Sequence, residues 1–327
     1  LTTKYAQTVK LDELTIEDGL TQGMIHDIIQ DSLGFMWFAT KDGLNRYDGY
    51  DFKLYSHFPS DSFSLSGHVV NFLFEDSYGR IWVGTHNNGL NIFDRTQERF
   101  YKLGYDEVPA VGLNSNRIFS VEQENDSIFW IGTGRGLCRL IVPEGEALWE
   151  GLESAQLSSR IKSYPIEPVQ NPNLNSVATC LSPVSDTLYF AISNRLFRLD
   201  RTNYREWEEM SDEVNAFNIE TPFGFRSMEM TKDGYLILPT NQEIKIYHEG
   251  KSWDIPLPEQ LRGFLPDVTI DQSGTAWGVS AGLYKIHPQR EPGHQLEILF
   301  TTKASYFTPT VYVDRSGVVW LGTNGYG

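Results

Sequence analysis

The chain has few cysteines and no long apolar run. Its 327 residues include two cysteines, Cys138 and Cys180, and so small a number excludes a disulfide framework. Because the two residues fall in different copies of the repeat described below, we expect packed free thiols. No stretch approaches the roughly 20 apolar residues that a membrane-spanning helix needs. We therefore expect no membrane insertion by this chain.

Basic residues and catalytic motifs are also scarce. The 27 lysines and arginines are outnumbered by 43 aspartates and glutamates, which gives a net charge of -16. A field of this sign repels nucleic-acid backbones and anionic membrane surfaces, so we expect no nucleic-acid partner. The sequence has no Gly-x-Ser-x-Gly elbow, no paired-histidine metal motif and no phosphate-binding glycine loop. We expect no catalytic residue, metal site or cofactor.

The sequence is rich in aromatic residues and in glycine turns. Aromatic residues make up 13% of the chain, which also has 28 glycines, a composition that favours many short strands joined by tight turns. One stretch, DSLGFMWFATKDGLNRYD at residues 31–48, consists of a polar turn, an aromatic run, a second glycine turn and another short run. The same arrangement returns as DSYGRIWVGTHNNGLNIFD at residues 76–94. Repeats of this kind predict a repeat architecture.

The copies can be counted along the whole chain. Clear copies are centred on Trp37, Trp82, Trp130, Trp277 and Trp320, and weaker ones on Tyr189 and Leu236. A unit of roughly 40 to 50 residues built from four short strands is the blade of a propeller. The sequence therefore predicts an all-β fold, with residues 1–327 as a single seven-bladed β-propeller. The predicted blades are 26–56, 70–103, 117–165, 177–207, 226–257, 267–300, and 309–327 together with 8–14.

The last predicted blade is incomplete in sequence. Its first two strands can be placed, but the chain ends before a third. We expect the strand Val9–Leu14 to join this blade as its outer strand and so close the ring, because closure removes open sheet edges. Since the chain starts at Leu1 and lacks that third strand, we also expect it to be a piece of a longer protein.

Two motif residues allow a functional and a structural interpretation. The aspartate of each polar turn could bind calcium, but each copy offers one such residue, whereas a calcium loop needs several converging oxygens. An aspartate there is better explained by hydrogen bonds to its own turn. The tryptophans could stack on sugar rings. Because they recur at one fixed position among apolar residues, we expect them to be wedges between blades.

Candidate ligand-binding residues lie in the loops that vary between copies. In a propeller, the loops between second and third strands share one face with the loops between blades, and the central channel opens there. These loops carry amide, imidazole, guanidinium and other polar groups, which suit a polyhydroxylated or anionic ligand. A solvated loop surface is the alternative for each residue. The candidates are Lys41, Asp42, His86, Asn87, Asn88, Arg117, Arg135, Asn194 and Asn241. Loops between blades add Gln22, His26, His68, Asn114 and Asn116.

The N-terminal repeats resemble a known family. LTIEDGL at residues 14–20 and IIQDSLGFMWFATKDGLNRYDGY at residues 28–50 are similar to the start of the sensor region of two-component regulator propeller proteins, the hybrid two-component systems of Bacteroides-type bacteria. The resemblance implies the first propeller of a periplasmic region that also holds a second propeller and a β-sandwich. It further implies a homodimeric receptor whose full-length form has histidine kinase activity. No site residue can be carried over, because the family's ligand residues vary.

Three hypotheses about function follow from the sequence. The first, which the resemblance favours, is a non-catalytic periplasmic sensing module that responds to oligosaccharides from glycan breakdown. The second is a propeller enzyme, a polysaccharide lyase or a glycosidase, since the fold alone does not decide between binding and catalysis. The third is a purely structural or dimerisation propeller.

Overall fold

A computed structural model gives the architecture of the chain. It describes residues 11–104, 112–142, 160–165, 177–182, 184–192, 195–204, 207–210, 227–262, 266–301 and 310–323. These residues form an all-β structure with short 3-10 turns at Ile16–Asp18 and Glu259–Leu261. Within this part of the chain, no helix has the length and apolar character that a membrane crossing requires.

Six four-stranded sheets follow one another along the chain. Blades one to three consist of β1 (Ile25–Gln30), β2 (Met36–Thr40), β3 (Gly43–Tyr47), β4 (Phe52–Tyr55), β5 (Val70–Glu75), β6 (Ile81–Thr85), β7 (Leu90–Asp94), β8 (Arg99–Leu103), β9 (Ile118–Asn125), β10 (Ile128–Thr133), β11 (Gly136–Ile141) and β12 (Ile161–Pro165). Blades four to six consist of β13 (Val177–Leu181), β14 (Thr187–Ile192), β15 (Arg195–Asp200), β16 (Trp207–Glu209), β17 (Glu229–Met230), β18 (Leu236–Pro239), β19 (Glu243–His248), β20 (Lys251–Pro256), β21 (Asp267–Ile270), β22 (Ala276–Val279), β23 (Gly282–Ile286) and β24 (Leu296–Thr301).

Every blade is an antiparallel meander, in which each strand pairs with the next one along the chain. The first strands of successive blades lie side by side, from β1 through β5, β9, β13 and β17 to β21. A two-stranded sheet, β25 (Thr310–Val313) and β26 (Val319–Gly322), fills the remaining arc, with β25 against both β21 and β1. The first strands therefore enclose a central channel.

The predicted number of blades is wrong. Within the described residues the propeller has six four-stranded blades, not seven, because the described part of the seventh copy of the repeat forms the two-stranded sheet β25–β26. The N-terminal strand predicted to close the ring is also absent from residues 11–14, which pair with no strand. A capping box between Thr15 and Asp18 begins a 3-10 turn there, and Leu11 and Ile16 are largely exposed. Without a packed apolar face, an alternating pattern of a few residues has nothing to hold it in a sheet.

The ring is joined instead through β26 and the start of β1. The amide of Ile25 donates to the carbonyl of Thr323 at 3.0 Å. Arg315 at the turn of the two-stranded sheet donates from its amide to Gln30 Oε1 at 2.9 Å. Residues 8–10 and 324–327, which belong to the predicted last blade, lie outside the described residues, as do the predicted blade starts at 226 and 309. The assignment of residues 1–327 to a single domain stays a prediction.

The tryptophans of the repeat are packed between blades, as predicted. Trp37, Trp82 and Trp130 are at most 1% exposed, and Trp82 stacks on Phe129 of the next blade, with ring centroids 4.5 Å apart. Burying rings of this size contributes much of the stability of the blades that have them. Both cysteines are buried and free, which confirms the prediction of packed thiols.

The aspartate of the repeat turn has the predicted structural role and a further one. Asp31 Oδ1 accepts hydrogen bonds from the amides of Leu33 and Phe35, at 3.0 and 2.9 Å. Its other oxygen, Oδ2, accepts from the indole Nε1 of Trp37 at 2.7 Å. The same bond between a carboxylate and the tryptophan six residues later recurs at Asp76–Trp82, Asp271–Trp277 and Asp314–Trp320, and also at Glu124–Trp130, where the carboxylate lies near the end of β9. We call this arrangement the carboxylate–tryptophan lock.

Candidate functional site

The central channel contains a cavity of about 610 Å³. Residues of the first strands of all six blades and of β25 line it. Its volume falls in the range of pockets that hold small molecules. Because the first strands all run in the same direction, residues at the same offset from their turn lie at the same height in the channel.

Three neighbouring blades have a β-bulge at the same height. In β1 the pairing with β2 steps from Ile25 to Asp27 and leaves His26 as the extra residue. In β5 the extra residue is Asn71, and in β9 it is Phe119. All three line the cavity and precede the carboxylate of their blade's carboxylate–tryptophan lock (Asp31, Asp76 or Glu124) by five residues. Bulges turn a side chain out of the regular sheet and are frequent beside functional sites.

Loop residues complete this mouth of the channel. His86 and Arg117 line the same cavity; His86 follows β6 and Arg117 precedes β9. The imidazole Nδ1 of His86 lies 3.4 Å from the amide Nδ2 of Asn71, and the Arg117 guanidinium lies 5.5 Å from the centre of the Phe119 ring. Burial, and secondarily the positive charge of Arg117, lowers the pKa of His86. The imidazole is therefore neutral at pH 7, and Nδ1 can accept from Asn71 while Nε2 keeps a proton to donate.

The backbone fixes these loops in place. The amide of His86 donates to the carbonyl of Val69 at 3.0 Å, and the amide of Gly134 donates to the carbonyl of Arg117 at 2.9 Å. His26 Nδ1 lies 2.7 Å from the carbonyl oxygen of Val70. These two loops between second and third strands thus each rest on the loop that enters their own blade. We call His26, Asn71, His86, Arg117 and Phe119 the channel mouth.

Below the mouth, side chains join the first strands across blade boundaries. Asp27 Oδ2 accepts from the amide of Leu73 in the next blade at 2.7 Å. The same contact recurs at Ser227–Val268 and Asp267–Val311. In each case a side chain four positions before its turn accepts from an amide in the first strand of the neighbouring sheet. These contacts satisfy amides on the channel side of first strands, which have no further strand to pair with.

The structure places the predicted candidates in two groups. His26, His86 and Arg117 lie at the channel mouth. The others that the structure describes do not line the cavity: Gln22, Lys41, Asp42, His68, Asn87, Asn88, Asn114, Asn116, Arg135 and Asn241. Asp42 lies 3.7 Å from His68, both well exposed, and Asn88 packs on Gly67. Asn194 lies outside the described residues. Whether any of these residues binds a ligand stays a prediction.

Several cavity residues were not among the sequence candidates. Asn71 and Phe119 were missed because a bulge leaves no mark in an alternating pattern. Asp27, Glu122 and Glu229 were missed because they lie within predicted first strands, not in loops. The sequence did contain one signal that could have identified them: a charged residue inside a predicted first strand, because first strands border the channel. Among the described residues, no group of three His, Cys, Asp or Glu side chains could hold a metal ion.

A family model described as two component regulator propeller matches residues 19–42 and 64–87. These segments contain the first two strands of blades one and two. The chain carries two-component regulator propeller repeats. This confirms the resemblance predicted from the sequence.

The chain is also similar to part of a curated protein. It is 51% identical over 49 residues to a histidine kinase of Formosa agariphila. That alignment covers 15% of this chain and 4% of the kinase. The kinase is thus far longer than the matched part.

Solved structures share the propeller fold. The extracellular domain of a hybrid two-component system from B. thetaiotaomicron superposes with a TM-score of 0.70 at 19% identity, over 96% of this chain and 40% of that domain. Virginiamycin B lyase from Staphylococcus aureus superposes with a TM-score of 0.62 at 11% identity, over 93% and 92% of the two chains. At these identities the likeness concerns the fold alone, which a sensor domain and an enzyme share.

Proposed function

We propose that this regulator propeller is a ligand-sensing module on the extracytoplasmic side of a hybrid two-component system, located in the periplasm. In this proposal the chain itself is non-catalytic, and the complete receptor is a homodimeric histidine kinase with a second propeller and a β-sandwich. The family repeats in blades one and two support the assignment, as does the structural likeness to an extracellular domain of such a system.

We further propose that the ligand is an oligosaccharide released by glycan breakdown and that it binds at the channel mouth. The observation that carries this proposal is the set of three aligned bulges, which direct His26, Asn71 and Phe119 to one opening. The mouth combines donors, acceptors and an aromatic ring around a cavity of about 610 Å³. Sugar recognition needs polar groups for hydroxyls and an apolar face for the ring.

The experiment is titration calorimetry of the purified chain with a library of oligosaccharides from different glycans. We expect one glycan class to bind, and we expect Arg117→Ala and His86→Ala to weaken that binding by tenfold or more, because each removes a polar group from the mouth. Arg135→Ala is the matched control, since Arg135 lies on the same loop face but does not line the cavity.

Three outcomes would contradict the proposal. Binding that survives both mouth substitutions would place the site elsewhere on the chain. The absence of saccharide binding by this chain, with binding by the complete receptor region, would favour a structural propeller. Release of shorter sugars or unsaturated products during incubation, detected by chromatography, would instead favour a lyase or a glycosidase.

A further inference from the structure

The wall of the channel away from blades one and two is acidic. Glu122 on β9 and Glu229 on β17 both line the cavity, and both lie two residues before the position of the lock carboxylate, which is Glu124 in blade three and Thr231 in blade five. Cys180 has the same offset on β13, the strand between them. Asp267 on β21 lines the cavity beyond Glu229. The carboxyl groups therefore belong to one continuous stretch of wall from blade three to blade six.

The electrostatic influences within this wall act in the same direction. Burial raises the pKa of Glu122 to about 8. Burial, followed by the charges of Glu122 and Asp267, raises the pKa of Glu229 to about 8. Burial, followed by the charges of Glu122 and Glu229, raises the pKa of the Cys180 thiol. Glu229 thus lies close enough to Glu122 and Asp267 for their charges to oppose its ionisation, and every influence on the two glutamates opposes ionisation.

A separate observation indicates that something binds at this wall. Thr179, next to Cys180 on β13, lines the same cavity and is 5% exposed. Its hydroxyl oxygen, Oγ1, has no hydrogen-bond partner among the described residues. A buried hydroxyl without a partner costs about 1–3 kcal/mol, and in folded proteins such groups are uncommon. A ligand that donates a hydrogen bond would satisfy it.

We propose that the wall formed by Glu122, Thr179 and Glu229 binds the ammonium group of an amine-bearing ligand. An ammonium group has three N–H donors, which match these three side chains in number, and its positive charge offsets the repulsion between the carboxylates. A ligand with a carboxylate or sulfate group at this position would be repelled. A metal ion fits less well, because the described residues include no group of three ligands that could hold one.

The inference rests on the proposed function, because it names the chemical class of that function's ligand. The oligosaccharide would carry a free amino group, as in a glucosamine residue. Its sugar rings would contact the channel mouth, and the amino group would reach the acidic wall. Both parts of the site line the same cavity.

The test uses two sugars that differ only at nitrogen. Calorimetry at pH 7, where most of the glucosamine amino groups are protonated, compares glucosamine with N-acetylglucosamine and so a charged amine with a neutral amide on the same ring. We expect glucosamine to bind at least tenfold more tightly. Glu229→Gln and Glu122→Gln should each reduce that affinity about tenfold or more, and Thr179→Val should reduce it less. Glu259→Gln is the control, because Glu259 is exposed and outside the cavity.

The possible results separate this inference from the proposed function. Equal affinity for the two sugars, no glucosamine binding, or an affinity that survives both glutamine substitutions would overturn the ammonium site. Neutral oligosaccharides that bind through Arg117 and His86 would leave the proposed function standing in that case. Amine binding that depends on Glu122 and Glu229, without binding of any oligosaccharide, would support the wall and contradict the proposed function.

Discussion

Blades one and two and blades four and five of the same ring hold their centres together in different ways. In blade two, Asp76 joins its turn to the indole of Trp82. In blade five, Thr231 occupies the position of that aspartate and holds only the amide of Tyr235, at 3.0 Å. Ile237 stands where the tryptophan would be, fully buried and without a polar group.

The difference shows that the same packing position can be filled in two ways. One is a tryptophan bound to a carboxylate, and the other is a residue without an indole N–H beside a hydroxyl. A tryptophan adds a large buried ring, but its N–H needs an acceptor inside the sheet, and the turn carboxylate supplies that acceptor. An isoleucine fills the position without any polar group, and a tyrosine carries a hydroxyl group in place of the indole N–H, so in these blades the turn can hold a hydroxyl instead of a carboxylate. Blade four follows the second solution, with Ser182 at the turn and Tyr189 in the strand.

The largest expected effect is the loss of one lock. Asp76→Ala should lower the free energy of unfolding by about 3–5 kcal/mol, because Trp82 Nε1 and the guanidinium of Arg80 then lose a buried carboxylate. Thr231→Ala in blade five should cost about 1 kcal/mol, since it removes one hydrogen bond. Urea unfolding of both variants measures the two values. Equal losses would show that the blades do not differ in this way.

A smaller effect should depend on pH and should come from the acidic wall. The pKa of Glu229 is about 8 in the folded chain against an ordinary 4.5, so between these pH values the folded chain holds a proton that the unfolded chain has lost. The contribution of the Glu229 side chain to the free energy of unfolding is therefore fully present below about pH 4.5, and it falls as the pH rises towards 8. Glu229→Gln should raise the free energy of unfolding at pH 7 by on the order of 1–2 kcal/mol.

The measurement for Glu229 is urea unfolding at pH 5 and at pH 7. The free energy of unfolding of Glu229→Gln should exceed that of the unchanged chain by more at pH 7 than at pH 5. Glu17→Gln serves as the control, because Glu17 lies on the exposed 3-10 turn outside the channel. A gain for Glu229→Gln that is independent of pH would contradict the assigned cause.

The smallest effect concerns the contacts between first strands. Asp27→Ala should cost about 1 kcal/mol, because the amide of Leu73 loses its acceptor in the neighbouring blade. Ser227→Ala should cost less than about 0.5 kcal/mol, since the amide of Val268 also donates to Asp267 Oδ1 at 3.0 Å. Thermal unfolding of the two variants compares them. A larger loss of stability for Ser227→Ala than for Asp27→Ala would contradict the prediction, because it would show that the contact between blades five and six matters more than the contact between blades one and two.

Much of the fold followed from the repeat, but the number of complete blades did not. A tryptophan copy marks a second strand and says nothing about whether a third and a fourth follow. Trp320 therefore counted as a blade, although the described residues around it form β25 and β26 and no further strand. In the weak fifth copy, Leu236 was aligned with the tryptophans, whereas the turn bond from Tyr235 to Thr231 places Ile237 there.

The candidate site was predictable only in part, for a physical reason. His86 and Arg117 lie in loops, where variation between copies draws attention to them. Asn71 reaches the cavity because one residue bulges out of a strand, and that depends on pairing between strands. Glu122 and Glu229 reach it because first strands border a channel, which only the closed ring creates.

The join between the last sheet and the first blade has a consequence for folding. Arg315 meets Gln30 across 285 positions of sequence, whereas the strands within each blade pair with their immediate neighbours. Contacts between distant positions form late, because a long loop must close before they contribute. Each blade can thus assemble locally, and the closing of the circle between Arg315 and β1 becomes the slow step on the way to the native state.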